Sequence, residues 1–314
     1  MRTTIDVVGR ALKPGLPLAG RPVRRLRAAR WRRLATALIF AGMAAPMATQ
    51  PLAAAGPGDN EIRIGNTMPY SGPAASYGTI GKVIAAYFDK VNAEGGINGR
   101  KVNFITYDDA YNPAKTVELT RKLVEEDRVL LTFASLGTAP SAAVQPYLNS
   151  KKIPQLFVAS GASMWDQPRE FPWTMGWQPS YQTEAHIYAQ YLLENYPRGK
   201  IAVLYQDDGF GKDYVKGLKD GLGGKIQIVA EAPYNVTDTT IDAQIAKLKA
   251  SGADIFFDVT TPKFALMAIR RTVDLGWKPV HVIPTVSLSI AAMMQSAGMQ
   301  NTEGLVSAGY TLEG

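Results

Sequence analysis

Three short runs of small polar residues carry what chemistry this sequence offers. The first is Ile64-Gly65-Asn66-Thr67-Met68-Pro69-Tyr70-Ser71-Gly72-Pro73-Ala74-Ala75-Ser76-Tyr77-Gly78, in which a β-branched stretch gives way to a Gly/Ser/Pro loop and then to an amphipathic pattern. The second spans 132–142 and contains Leu136-Gly137-Thr138; the third is Ala159-Ser160-Gly161-Ala162-Ser163. Backbone N–H groups and hydroxyls at the start of a helix favour an anion, because the helix dipole and the unpaired donors point at it. A carboxylate is a natural guest. Ser71, Leu136, Gly137, Thr138, Ser160, Gly161 and Ser163 would surround it, with the Tyr77 ring over its apolar part. An ordinary helix cap explains any single loop about equally well, but three such loops on successive strands favour binding.

Enzyme motifs fit less well. Gly209-Phe210-Gly211 follows a strand pattern as a dinucleotide fingerprint would, but Tyr214 stands at the third glycine position. Thr79-Ile80-Gly81-Lys82 resembles a phosphate loop, yet Ser76 replaces its first glycine and Val83 its Ser or Thr. No Gly-x-Ser-x-Gly elbow occurs. Asp108-Asp109 and Asp207-Asp208 each end a strand pattern; such pairs can bind metal or do acid–base work, but more often cap helices. The chain has no cysteine and only His186 and His281, so no metal-ligand spacing exists and neither metal nor cofactor is expected.

These loops need a frame, and the hydrophobic pattern supplies one. Strands are expected at 62–66, 102–107, 129–133, 155–158, 201–205, 226–230, 254–258 and 280–283, each short and rich in β-branched or aromatic residues. Between them lie helical periods, such as Ile84, Tyr87, Phe88 and Val91, or Ile241, Ile245 and Leu248. Strand–helix alternation of this kind means parallel sheets with helices on both faces. The order repeats, once over 62–133 and again over 201–258, so two similar α/β lobes are expected. The stretch 167–181, rich in Pro and aromatics including Trp173, Trp177 and Tyr181, reads as an irregular crossover. One last strand is expected at 304–308, after which the chain stops abruptly, as a truncated frame would.

The formal net charge of +7 is uneven. Residues 1–55 hold ten basic residues and one acid, leaving 24 basic and 26 acidic residues in a slightly acidic body. Nucleic acid is therefore not an expected partner. Residues 1–55 have the layout of an export leader: a basic region ending at Arg32-Arg33, an apolar stretch over 34–48, and Ala53-Ala54-Ala55 as a cleavage site.

The runs Met68-Pro69-Tyr70-Ser71-Gly72-Pro73 with Tyr77-Gly78, Asn92-Ala93-Glu94-Gly95-Gly96-Ile97-Asn98-Gly99, and Tyr107-Asp108-Asp109 strongly resemble the periplasmic branched-chain amino-acid-binding (Leu/Ile/Val-type) proteins of ABC transporters. The similarity continues through Lys122-Leu123-Val124, Ile153-Pro154, 201–212 and 248–254. The resemblance implies a type I periplasmic binding fold: two Rossmann-like parallel-sheet lobes joined by a three-stranded hinge, closing on one small ligand. The implied division is a leader over 1–55, a first lobe over 56–178, a second over 179–308 and the start of a return crossover at 309–314, with the C-terminal part missing. It implies a carboxylate site on Gly137-Thr138 and Gly161 to Ser163, with Tyr77 covering the ligand.

Two departures from the family pattern bear on the ligand. The second-lobe tyrosine is Phe210 here, and the acid that neutralises a ligand ammonium falls near Val286, where no carboxylate stands. A buried unpaired ammonium is costly, which points to a carboxylate without an α-ammonium, such as an aromatic or aliphatic acid. Tyr181, Phe210, Thr261 and Val286 complete the candidate binding set. The expected role is a periplasmic, non-enzymatic solute-binding protein of an ABC importer that binds a branched-chain amino acid or a related small carboxylate, an aromatic or aliphatic acid among them, and serves permease subunits in the inner membrane. A ligand sensor of the same fold and a nucleotide-using Rossmann-like enzyme are the alternatives.

Overall fold

The computed structural model describes residues 60–288 and 295–310. The expected leader and residues 311–314 of the return crossover lie outside the described residues. Two parallel sheets form the frame. The first takes β1 (Glu61–Met68), β2 (Lys101–Asp108), β3 (Leu131–Phe133), β4 (Gln155–Val158) and β5 (Thr174–Gly176) in the order β2-β1-β3-β4-β5. The second takes β6 (Lys200–Gln206), β7 (Gln227–Tyr234), β8 (Ile255–Val259) and β9 (Val280–Val282) in the order β7-β6-β8-β9. The second sheet thus repeats the order of the first four strands, and every strand pair is parallel. This is the expected α/β architecture of two Rossmann-like lobes.

Helices follow the strands: α1 (Gly78–Ala93), α2 (Pro113–Glu125), α3 (Thr138–Lys151), α4 (Tyr181–Asn195), α5 (Gly209–Leu222), α6 (Asp242–Ala250) and α7 (Pro262–Asp274). Their starts are written locally. Asn112 accepts hydrogen bonds from the N–H groups of Ala114 and Lys115, and Pro113 supplies a preset φ at the first turn of α2. Asp208 caps α5 in the same way, accepting from Phe210 and Gly211.

The second sheet is covered on both faces. Tyr188, Tyr214, Leu218 and Phe257 build the core under α4 and α5; Ile245, Leu248, Phe256 and Phe264 build the one under α6 and α7. In the first sheet α2 and α3 pack against each other, while α1 sets Phe88 against Phe104 and Phe133, from which the ring row continues to Phe157 and Trp177. The helical period expected for α1 is only partly buried: Ile84, Phe88 and Val91 are half-buried, but Tyr87 is 62% exposed. By contrast Ile241, Ile245 and Leu248 are fully buried.

Four details differ from expectation, and the first two have local causes. β3 begins only at Leu131, because Arg128 takes a left-handed φ of 55° ahead of it. β7 runs on to Tyr234 through Pro233, which an edge strand tolerates because one side of its backbone is unpaired. The supposed irregular crossover contains β5, and its Tyr181 opens α4. The expected last strand is reduced to a single bridge between Val306 and Val282. Among the described residues the chain crosses from the first sheet towards the second through 177–180.

Candidate ligand cleft

Parallel strands deliver their following loops to one edge of a sheet, and open α/β sheets bind ligands at that edge. Here loops from both sheets meet around one cavity of about 200 Å³. Tyr77 and Ile80 come from the chain after β1, Tyr111 from that after β2, Leu136, Gly137 and Thr138 from that after β3, and Ala159 from that after β4. Gln178 and Tyr181 come from the crossover and the start of α4. Phe210, Thr261, Thr285, Val286 and Tyr310 close the opposite side.

The ends of β3 and β4 are shaped by two kinks. Ala134 and Phe157 both adopt left-handed φ values, 51° and 55°, a conformation that costs an L-residue about 1–2 kcal/mol. Beyond the kinks the two segments pair again: Leu136 bridges Ala159, and the Gly137 N–H donates to the Ala159 carbonyl at 3.3 Å. Gly137 is required at this point. Its φ is 105°, and a Cβ there would lie 2.6 Å from the Tyr111 ring.

The three polar loops do not share one fate. In the first, the N–H groups of Tyr70 and Ser71 donate to Asp108 Oδ1 at 3.0 and 3.1 Å, and Ser71 Oγ donates to Asp108 Oδ2 at 2.6 Å. The anion held there is the protein's own carboxylate, so Ser71 stands outside the cleft. Burial alone would raise the Asp108 pKa, but these hydrogen bonds hold it below the ordinary value. In the third loop Asp213 accepts the N–H of Ser163 at 2.6 Å and its hydroxyl at 3.0 Å. Ser163 and Gly161 line a neighbouring depression with Trp165 instead. Gly161 permits close approach of backbone: a Cβ there would lie 2.3 Å from the Pro179 carbonyl oxygen.

The second loop places its threonine in the lining of the cleft. Thr138 opens α3 and is 2% exposed, and its Oγ1 lies 2.7 Å from Ser160 Oγ, which sits directly behind it. Tyr77, Leu136, Gly137, Thr138, Tyr181, Phe210, Thr261 and Val286 are thus brought together, while Ser71, Ser160, Gly161 and Ser163 are not among the lining residues. Ile80, Tyr111, Ala159, Gln178, Thr285 and Tyr310 join the cleft without having been expected. Tyr111 had a signal: it stands two residues after Asp108-Asp109, as Phe210 stands two residues after Asp207-Asp208.

The lining is neutral. None of the described lining residues is Asp, Glu, Lys, Arg or His. Burial raises the pKa of the Tyr77 and Tyr111 phenols well above the usual value, helped by neighbouring phenols and, at Tyr111, by Asp208. Burial pushes Tyr181 up to about 12, against the pull of the Gly161 N–H and the Ser160 and Thr138 hydroxyls. All three therefore stay protonated at neutral pH. The buried Glu184 stands behind the wall, where its Oε1 accepts from the Tyr188 hydroxyl at 2.7 Å and the Thr285 N–H at 2.8 Å. The paired aspartates serve structure: Asp208 caps α5, and Asp109 accepts the Tyr111 N–H and the Thr116 hydroxyl, each at 2.9 Å.

The periplasmic binding protein family model matches residues 61–312. Leu/Ile/Val-binding protein homolog 1 of Brucella abortus is 28% identical over 258 residues, covering 78% of this chain and 67% of that protein. Homolog 7 of Brucella melitensis is 22% identical, covering 74% and 60%. The chain thus spans about three fifths to two thirds of the length of these relatives. Among solved structures, a substrate-binding periplasmic protein from Ralstonia solanacearum superposes with a TM-score of 0.72 at 25% identity, covering 78% of this chain and 69% of that one. No helix among the described residues is long and apolar enough to cross a membrane. With two repeated parallel sheets opening onto one shared cleft, and a family match over nearly all of the described residues, the chain belongs to the periplasmic binding proteins.

Proposed function

We propose that this protein is an exported, periplasmic solute-binding protein of an ABC importer, and that its inter-lobe cleft closes on one small carboxylate that lacks an α-ammonium, an aromatic or aliphatic acid. The observation that carries this reading is the uncharged lining around the Thr138 hydroxyl. A carboxylate is satisfied by hydroxyl and N–H donors at a helix start. An ammonium in the same cleft would meet no lining carboxylate, and leaving a buried charge unpaired is expensive. Glu184 stands behind this lining and not in it, with its Oε1 accepting from Tyr188 and Thr285. Phe210, Leu136, Val286 and the tyrosine rings supply the apolar contact that a small acid needs. A ligand touching both sides favours the closed arrangement, which is the signal a permease would read. A thermal-shift panel of leucine, valine, benzoate and 4-methylpentanoate tests the proposal. Stabilisation by the two simple acids supports it; clear stabilisation by leucine or valine with none by the acids overturns the ammonium-free ligand.

A further inference from the structure

Trp165 lies behind the cleft, outside its lining, and is 6% exposed. Its indole Nε1 donates to Ser160 Oγ at 3.0 Å, and the Ala162 N–H donates to the same oxygen at 3.2 Å. Two hydroxyls also face it: Thr138 Oγ1 at 2.7 Å, and the Tyr181 phenol. An indole N–H and a backbone N–H can only donate, and a hydroxyl oxygen has two lone pairs. Both lone pairs of Ser160 are therefore taken, so it accepts from neither hydroxyl, and its own hydrogen goes to Thr138 Oγ1 or to the Tyr181 phenol. Thr138 must then direct its hydrogen away from Ser160, towards the cleft it lines and the Tyr181 phenol beside it. Where the phenol accepts that hydrogen, it has its own to offer in turn. Each link in this series donates in the same direction.

We infer that Trp165 is a positioning residue for the cleft: acting through Ser160, it makes Thr138 face the ligand as a donor, so that the polar end of the cleft selects a carboxylate over the matching carboxamide. This inference rests on the carboxylate reading of the cleft. A fixed donor can meet the carbonyl oxygen of either ligand, but its bond to the ionised carboxylate is about twice as strong as its bond to the neutral amide, and it offers nothing to the amide NH₂. Without the indole N–H, Ser160 regains a lone pair, the Ser160–Thr138 bond can reverse, and Thr138 can accept as readily as donate. The geometry thus ties a residue that never touches the ligand to the choice between two ligands of nearly the same shape.

Titration calorimetry on the purified wild type, Trp165→Phe and Ser160→Ala tests this with three acid–amide pairs: benzoate and benzamide, 4-methylpentanoate and 4-methylpentanamide, and L-leucine and L-leucinamide. The wild type is expected to prefer an acid to its amide, and both variants to narrow that preference by about five- to tenfold. If Trp165 only packs, Trp165→Phe weakens acid and amide alike and the ratio stays put, which overturns the inference and leaves the carboxylate reading standing. Should Trp165→Phe not fold, Ser160→Ala keeps the indole ring in place and decides by the same ratio. Failure of the wild type to bind any of the three acids overturns the carboxylate reading itself, and the inference with it.

Discussion

The hydroxyl of Tyr77 donates to the backbone carbonyl of Val286 at 2.9 Å, joining two residues 209 positions apart from opposite sides of the cleft. Tyr77 comes from the chain after β1, and Val286 from the short turn after β9. The bond ties the first sheet's loops to the second's and fixes the ring that covers the cavity. Tyr77→Phe removes this one neutral hydrogen bond while keeping the ring. A net cost of about 1 kcal/mol is expected, falling on the closed arrangement. Calorimetry should show ligand affinity reduced about fivefold, with the unfolding midpoint nearly unchanged. A large loss of unfolding midpoint with affinity intact would mean that the bond serves folding and not closure.

Thr138→Ala removes the hydroxyl of the residue that opens α3 and lines the cleft. If that hydroxyl meets an ionised carboxylate, binding should weaken by about 1–3 kcal/mol. The variant also leaves the Ser160 hydroxyl without its 2.7 Å neighbour, so a small stability loss should accompany it. An unchanged dissociation constant for the acid that stabilises the wild type would take Thr138 out of the site.

The architecture was legible because parallel strands are buried on both faces and write themselves as short apolar runs. β4 matches its expected range, and the repeated strand order follows from the repeated strand–helix pattern. The site was legible only in part. A Gly/Ser/Thr loop announces donors, but not which acceptor takes them. Ser71 and Ser163 look like Thr138 in sequence, yet Asp108 and Asp213 occupy them. Asp213 lies 50 positions from Ser163 on another helix, a relationship that no local pattern encodes. Trp165 was hidden for the same reason: its N–H matters through a contact with Ser160 in the fold, not through its neighbours in the chain. The three residues of β5 fall between Pro172 and Pro179 and carry too short a pattern to read as a strand.

Gly137→Ala should damage the cleft more than its size suggests. The position has φ 105°, which L side chains rarely adopt, and the new methyl would sit 2.6 Å from the Tyr111 ring and 3.1 Å from Pro140. Strain of about 1–3 kcal/mol is expected, with Tyr111 forced from its place in the lining. The unfolding midpoint and the affinity should both fall. Retention of both would show that β3 and its loop relax at little cost.

Asp108 and Asp208 should give stability opposite dependences on pH. Asp108 has its pKa below the ordinary 3.8, because hydrogen bonds from Ser71 and the Ala110 N–H outweigh the effect of burial. Its contribution is present above 3.8 and lost as the pH falls through the lowered value. Asp208 has its pKa above 3.8, because burial outweighs the hydrogen bonds from Gln206, Gly211 and Phe210. Its contribution is full below 3.8 and lost as the pH rises through the raised value. Asp108→Asn should therefore be less stable than the wild type near neutrality and converge on it in acid. Asp208→Asn keeps a capping oxygen, and its stability relative to the wild type should rise from 3.8 upward and then level off. Urea midpoints measured from about pH 3 to about pH 7 separate the two cases. Parallel curves for both variants would contradict the opposite environments that the two carboxylates occupy.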